Sequence, residues 1–313
     1  MDLLLTFDDN YTQHASVTIT SFCYNNKGKH SFHIISNCIS STNQDKLQNI
    51  VKRYNSQIFF YFIEDKVIES FPIGNKTANN YINLSAYFRL FVADVLPQNI
   101  DRILYLDCDT VVNSDISDFW SCKFNANNCI GGVVDDPKRT IKNCQRLNYD
   151  CHYSYINSGV LIIDLTELRK HFNMDIAIQY ISNHTIYYHD QDVINGLLYD
   201  KKQIVDLKYN LMDFYLIKGT SIPSCYKGKL QDAIHHPVVI HFSGPLKPWF
   251  KECRNPYKEL YFHYLVMTPW KDYKPQSKYN SFKEKTIYEV KKTIKQFLDV
   301  LRIRNYSFID IKK

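Results

Sequence analysis

The chain has 313 residues, with 38 Lys+Arg against 32 Asp+Glu and a formal net charge of +6. Its 45% hydrophobic and 22% charged content is that of a globular protein able to bury a full core, which excludes a disordered chain. Residues 271–313 hold twelve Lys/Arg and five Asp/Glu, so the body is near neutral and only the tail is basic, which excludes a protein that coats nucleic acid.

The first residues, Met-Asp-Leu-Leu-Leu-Thr-Phe-Asp-Asp, lack a positive region, and Asp8 and Asp9 end the apolar run. Neither a signal peptide nor a membrane span is expected there. The nine cysteines are odd in number and form no C-x-x-C pair, so reduced, mostly buried thiols of a cytosolic protein are expected.

Residues 3–6 read as a first strand and 14–24 as a helix. Strands at 31–36 and 57–63 follow, separated by a helix near 42–54. This alternation predicts βαβ units and a mainly parallel sheet. Leu84, Tyr87, Phe88 and Phe91 recur with helical period, predicting a helix over 83–93 that Pro97 closes off. The apolar strand 102–106 runs directly into Asp107-Cys108-Asp109. Further strands are expected at 130–134, 155–164 and 238–241, with helices from 164 onward and around 190–198. In open α/β sheets ligands sit beyond the carboxyl ends of strands. Asp8, Asp9, Asn10, Asp107, Asp109, Asp135 and His241 all fall just after such ends.

Asp107 and Asp109 are two carboxylates one residue apart, and in extended chain both would leave the same face. Like charges that close call for a cation or protons between them. Oxygen ligands suit Mg²⁺ or Mn²⁺, and a distant His tilts the choice to Mn²⁺. The alternative is a pair of solvated turn aspartates. His241 ends the apolar Pro-Val-Val-Ile and opens His-Phe-Ser-Gly-Pro-Leu-Lys-Pro-Trp. It is either a hydrogen-bonded structural residue or a ligand; Gly244 permits close backbone approach, and Lys247 sits between two prolines in a stiff loop suited to a diphosphate.

Six blocks in order carry a family resemblance: Thr-Phe-Asp-Asp-Asn-Tyr at 6–11, Ser-Ala-Tyr-Phe-Arg-Leu at 85–90, Ile-Leu-Tyr-Leu-Asp-Cys-Asp-Thr at 103–110, Tyr-Ile-Asn-Ser-Gly-Val-Leu-Ile-Ile-Asp-Leu at 155–165, His-Asp-Gln-Asp-Val-Ile-Asn at 189–195, and the 241–249 block. Together they resemble glycosyltransferase family 8, specifically its bacterial lipopolysaccharide glucosyl- and galactosyltransferases. The resemblance implies an α/β GT-A (Rossmann-like, nucleotide-sugar-binding) fold over residues 1–250, with a helical, basic C-terminal extension over 251–313. It implies a retaining transfer of glucose or galactose from UDP-glucose or UDP-galactose, with Mn²⁺ (or Mg²⁺), to a lipid-linked glycan of the lipopolysaccharide-core type. By similarity Asp107, Asp109 and His241 hold the metal. Asp8, Asn10 and the backbone near Thr6 take the uridine, and Lys247 and the Gly244 backbone the diphosphate. Arg89, Asn157 and Asp190 contact the donor sugar, Gln191 lies beside its anomeric carbon, and Asp135 is on the acceptor side.

The residue types suit that chemistry. Loss of UDP concentrates negative charge, which a metal and Lys247 would stabilise electrostatically, while Asp190 and the Gln191 amide oxygen would face an oxocarbenium-like sugar. Gln191 is neutral and a poor nucleophile, so the route is either attack by Asp190 or acceptor attack on the face UDP leaves. Thr6 and Phe7 are larger than in many relatives, and Cys108 between the two aspartates suggests sensitivity to thiol reagents. A transferase for a capsular or protein-linked glycan, or a non-catalytic nucleotide-sugar binder, are the alternatives.

In the tail, Ile287, Val290, Ile294, Phe297, Leu298 and Leu301 recur at helical spacing, with Lys285, Lys291, Lys292, Lys295 and Arg302 between them. Tyr264, Trp270, Tyr273 and Tyr279 add amphipathic rings upstream. Such a helix either packs on the domain or lies on a membrane surface. With a lipid-linked acceptor implied, the expectation is a cytoplasmic protein attached peripherally to the anionic inner face of the cytoplasmic membrane.

Overall fold

A computed structural model describes residues 1–64, 66–67, 84–125, 127–301 and 307–311. A seven-stranded sheet runs in the order β3-β2-β1-β4-β7-β6-β8, with β1 Asp2–Thr6, β2 Ser31–Ser36, β3 Gln57–Phe62, β4 Arg102–Leu106, β6 Ile130–Val134, β7 Ile156–Asp164 and β8 Lys202–Ile204. A second, three-stranded sheet pairs β5 (Thr110–Val112), β10 (Val239–His241) and β9 (Leu211–Met212), with β10 in the middle. Parallel pairing dominates, as expected, but β7 runs antiparallel to both β4 and β6. That reversal brings the start of β7, not its end, to the edge where β4 and β6 finish. Asn157 therefore joins Asp107 and Asp135 at one rim.

The central strands are continuous runs of Leu, Ile and Val because both faces are covered. One core packs Leu3, Leu5, Leu104 and Leu106 with Val17, Ile19 and Phe22 of the helix Thr12–Asn25. The other packs Leu4, Ile103 and Tyr105 with Tyr87, Phe88 and Val193.

The helix Thr12–Asn25 is rich in buried hydroxyls, and two of them, on Thr18 and Ser21, have partners across the fold. Thr18 Oγ1 donates to the carbonyls of Cys108 (3.2 Å) and Thr110 (2.9 Å). Ser21 Oγ accepts from Val112 N–H at 3.0 Å, and Asn25 Nδ2 donates to Val112 O at 2.9 Å. Buried backbone groups that no sheet partner satisfies are thus satisfied by side chains, and the segment after β4 is anchored from beneath.

The segment read as a helix over 83–93 is a 3₁₀ helix, Leu84–Phe91, followed by one α turn, Val92–Val95; residue 83 lies outside the described residues. Tyr87, Phe88, Arg89, Leu90 and Phe91 are all buried. In the C-terminal region, Tyr257, Tyr261, Tyr264 and Leu265 belong to the same core as β1. The helix Phe282–Val300 then extends with no buried residue, and the chain returns to the body where Phe308 bridges Ile217. Arg302 lies outside the described residues.

Candidate active site

β4 delivers Asp107, but the carboxylate pair is not held in extended chain. Residues 107–110 form a turn closed by Thr110 N–H to Asp107 O (3.2 Å) and by Thr110 Oγ1 to the same carbonyl (2.8 Å). The turn, rather than strand alternation, makes the two side chains converge. Register supplies the third ligand: β10 pairs antiparallel with β5 so that His241 lies opposite Thr110, and Phe242 N–H donates to Asp109 O at 3.0 Å. One donor atom from each of Asp107, Asp109 and His241 then lies within 4.8 Å of the others. His241 Nε2 is 3.3 Å from Asp109 Oδ1 and 3.8 Å from Asp107 Oδ2.

These residues fit a divalent cation. Asp109 Oδ1 is buried and has no hydrogen-bond partner among the described residues. At Gly159 a Cβ would lie 2.5 Å from Asp107 Oδ2 and collide with the His241 ring, so only glycine leaves the space open. Two carboxylates and one imidazole are the donor types a Mn²⁺ or Mg²⁺ ion accepts. The flanking Lys247 ammonium bonds Asp109 Oδ2 and donates to Phe242 O at 2.7 Å. Burial raises the Asp109 carboxyl, but Lys247, with His241, outweighs it and holds it far below the usual carboxylate range. Cys108 is buried, and burial together with its two aspartate neighbours pushes its thiol well up. The sequence expectation of thiol-reagent sensitivity is therefore corrected: this sulfur is neither exposed nor ionised.

Beside the triad lies a second group. Arg89 is buried and not a helix-surface residue: it bridges Asp107 Oδ1 (2.8 Å) and Asp190 Oδ2 (2.9 Å), donates to Ser158 O (2.6 Å) and covers the Tyr105 ring at 4.3 Å. Burial lifts the Asp190 carboxyl to about 6 against the pull of Arg89. Gln191 Oε1 accepts from Ser158 N–H (3.0 Å) and Asn157 Nδ2 (3.1 Å), while its Nε2 donates to Asp135 Oδ2 at 2.8 Å. His189, just before this pair, has φ +48, a left-handed turn that aims the next two side chains inward. Arg89, Asn157, Asp190, Gln191 and Asp135 are thus one contiguous cluster.

On the other flank, Thr6 Oγ1 bonds the Tyr105 hydroxyl at 3.0 Å. Asp8 Oδ1 caps the following turn by accepting from Tyr11 N–H at 3.2 Å, and Asn10 is exposed. The Gly244 N–H is donated to Asp213 Oδ2 at 2.5 Å, so that amide already has an acceptor. Reading the sequence missed Asp213, Tyr105 and Asn210. Each is a polar residue whose relevance comes from a partner far along the chain. Tyr105 alone carried a local signal, a phenol inside an apolar strand two residues before an aspartate.

The rim of the sheet thus gathers a D-x-D turn, a histidine and a buried Arg-Asp-Gln cluster. The model of the family described as glycosyl transferase family 8 matches residues 2–253, and the chain belongs to that family. It is 29% identical over 301 residues to a lipopolysaccharide 1,2-glucosyltransferase of Escherichia coli, covering 93% of this chain and 86% of that one. It is 27% identical over 279 residues to general stress protein A of Bacillus subtilis, covering 86% and 94%. In fold it matches the galactosyltransferase LgtC, solved with donor and acceptor sugar analogs, at TM-score 0.76 and 22% identity over 86% of this chain and 96% of that one.

Proposed function

We propose that the protein is a retaining, metal-dependent hexosyltransferase that moves glucose or galactose from a UDP-sugar to a lipopolysaccharide-core or related glycan. The observation that carries this reading is the Asp107–Asp109–His241 triad opening beside Arg89, Asp190 and Gln191. The Escherichia coli relative, named for lipopolysaccharide glucosyl transfer, supports the acceptor class. A divalent ion held by the triad, Mn²⁺ before Mg²⁺ because of the imidazole, supplies charge stabilisation for the departing diphosphate.

The chain's own groups do the rest. Asp8 and Asn10 orient the uridine beside Thr6. Lys247 faces the diphosphate beside the loop at residue 244, whose own N–H is taken by Asp213, and adds positive potential as the leaving group gains charge. Arg89 holds Asp190 at 2.9 Å as a carboxylate near the developing oxocarbenium, and Asn157 positions the Gln191 oxygen beside the anomeric carbon. Asp135, fixed by Gln191, faces the acceptor side. The decisive assay is UDP release from a panel of UDP-sugars, with and without Mn²⁺. One hexose donor consumed only with metal, and loss of turnover in Asp109→Asn, is the expected result; no turnover of any donor by protein that binds UDP would refute it.

We assign residues 1–250 to catalysis and 251–313 to attachment at an anionic membrane surface. On the helix Phe282–Val300 the side chains of Ile287 (43%), Val290 (54%), Ile294 (52%) and Phe297 (61%) are solvent-exposed, with Lys285, Lys291 and Lys295 between them. No described helix is long and apolar enough to cross a membrane. An exposed apolar stripe flanked by lysines supports a helix lying in the interface plane, with each near-surface cation worth about 1 kcal/mol.

A further inference from the structure

Two amides outside the triad connect it to Gln191, and the hydrogen-bond polarity of that connection can be read link by link. Asp135, when ionised, only accepts, so Gln191 must turn its Nε2 toward it (2.8 Å). That leaves Gln191 Oε1 to accept from Asn157 Nδ2 (3.1 Å), an orientation the Ser158 N–H confirms at 3.0 Å. Asn157 Oδ1 then accepts from Asn210 Nδ2 (2.9 Å), again checked by a backbone donor, Gly159 N–H at 3.0 Å. Asn210 is left with only its Oδ1 to offer His241 Nδ1, 3.0 Å away. An amide oxygen cannot donate, so Nδ1 must carry the proton. His241 Nε2 is consequently the nitrogen left to face Asp109 Oδ1 at 3.3 Å and Asp107 Oδ2 at 3.8 Å. Two carboxylate oxygens and a ring nitrogen that converge in this way need a proton or a cation between them, and a cation there meets the Nε2 lone pair.

We infer that Asn210 is a positioning residue with two separable tasks: its oxygen holds His241 in the Nδ1–H tautomer that presents Nε2 to the cation, and its amide N–H₂ holds Asn157, and through it Gln191. Asn210 is fully buried at the end of a short turn before β9, and β9 pairs with the β10 strand that carries His241. Its side chain has no other role in the fold's hydrogen bonding among the described residues. Outer-shell partners of ligating histidines fix ring orientation and raise ligand basicity. The inference rests on the metal-site reading above and adds to it the residue that enforces the ligand's protonation pattern.

The test uses the full chain. Mn²⁺ affinity in the presence of UDP, followed by loss of the free-ion paramagnetic resonance signal, is compared for wild type, His241→Ala, Asn210→Ala and Asn210→Asp. His241→Ala should weaken binding at least tenfold, and Asn210→Ala by roughly ten- to a hundredfold. Asn210→Asp keeps an acceptor for Nδ1–H, so its Mn²⁺ affinity should match or exceed wild type. It also places a carboxylate against Asn157 Oδ1, so kcat should fall roughly tenfold or more with the donor KM little changed. Unaltered Mn²⁺ binding in His241→Ala would remove the metal-site reading itself. Loss in His241→Ala with wild-type binding in Asn210→Ala, or equal metal loss in both Asn210 variants, would overturn the positioning role while leaving the metal site. Should Asn210→Ala fail to fold, ¹⁵N imidazole shifts of the metal-free wild type decide the matter: protonated Nδ1 is expected, and protonated Nε2 alone would overturn the inference.

Discussion

The Tyr105 hydroxyl donates to Asp107 Oδ1 at 2.7 Å and so decides which carboxylate oxygen faces His241. Arg89 takes the same oxygen at 2.8 Å, leaving Oδ2 toward the triad. Because Asp107 only accepts, Tyr105 in turn accepts from Thr6 Oγ1, and the larger residue at position 6 becomes a support for a ligand. Tyr105→Phe should lower Mn²⁺ affinity about tenfold and cost roughly 1–2 kcal/mol of stability through the unpaired Thr6 hydroxyl. Metal titration and thermal melts of the two proteins check this; unchanged Mn²⁺ affinity would show that Arg89 alone suffices.

Gly159 leaves the space the triad needs. The added methyl of Gly159→Ala would lie 2.5 Å from Asp107 Oδ2 and meet the His241 ring, so both ligands must move. Overpacking of this kind costs roughly 1–3 kcal/mol, and the displaced ligands should lose metal-dependent turnover almost entirely. A variant that melts several degrees below wild type but still folds, and binds no Mn²⁺, is the expected outcome. Normal metal binding would mean that the cation sits elsewhere.

The parts of this site legible in the sequence are those built locally. Asp8, Asp107, Asp135 and His241 each follow an apolar run, and a buried strand that ends in a polar residue announces both the strand and its rim. What was not legible depends on pairing between distant segments. Nothing near residue 156 states that β7 runs antiparallel, and nothing near 241 states that β10 pairs with β5 to bring His241 opposite Thr110. Asn210 sits beside a two-residue strand too short to leave a periodic trace. The stripe on the C-terminal helix was readable as a pattern, whereas its exposure was not, because burial depends on what the rest of the chain places against it.

Acid should destabilise the protein partly through His14. Its ring stacks on Trp249 with centroids 3.5 Å apart and Nδ1 lies 2.7 Å from the Tyr261 hydroxyl. Burial pushes the imidazole down to about 3, overriding the opposite pull of Asp109. Between pH 6.5 and about 3 the unfolded chain therefore binds a proton that the native state does not, and stability falls as pH drops through that window. Above 6.5 the contribution is complete. His14→Phe keeps a ring on Trp249 and cannot titrate, so the melting-temperature gap between wild type and variant should narrow from pH 7.5 to 5. A gap that stays constant would mean the native ring takes up its proton at the ordinary value.

Membrane attachment through the C-terminal helix is best tested in the intact chain, because the end of the chain is tied back to the body. Lys218 N–H donates to Ser307 O at 3.0 Å, and Ile309 N–H to Leu216 O at 2.8 Å. A truncation at residue 270 would strip Phe308 and Ile309 from the core as well as removing the helix. Val290 and Phe297 are both exposed, so Val290→Asp with Phe297→Asp changes only the outward stripe and should leave the melting temperature within a few degrees of wild type. Each carboxylate opposes insertion, and together they also offset part of the lysine charge. Flotation with vesicles rich in anionic lipid should retain the wild type and release the double variant, and the wild type should also be released by raised salt. Equal retention of both proteins would assign the stripe to another partner and leave the catalytic reading untouched.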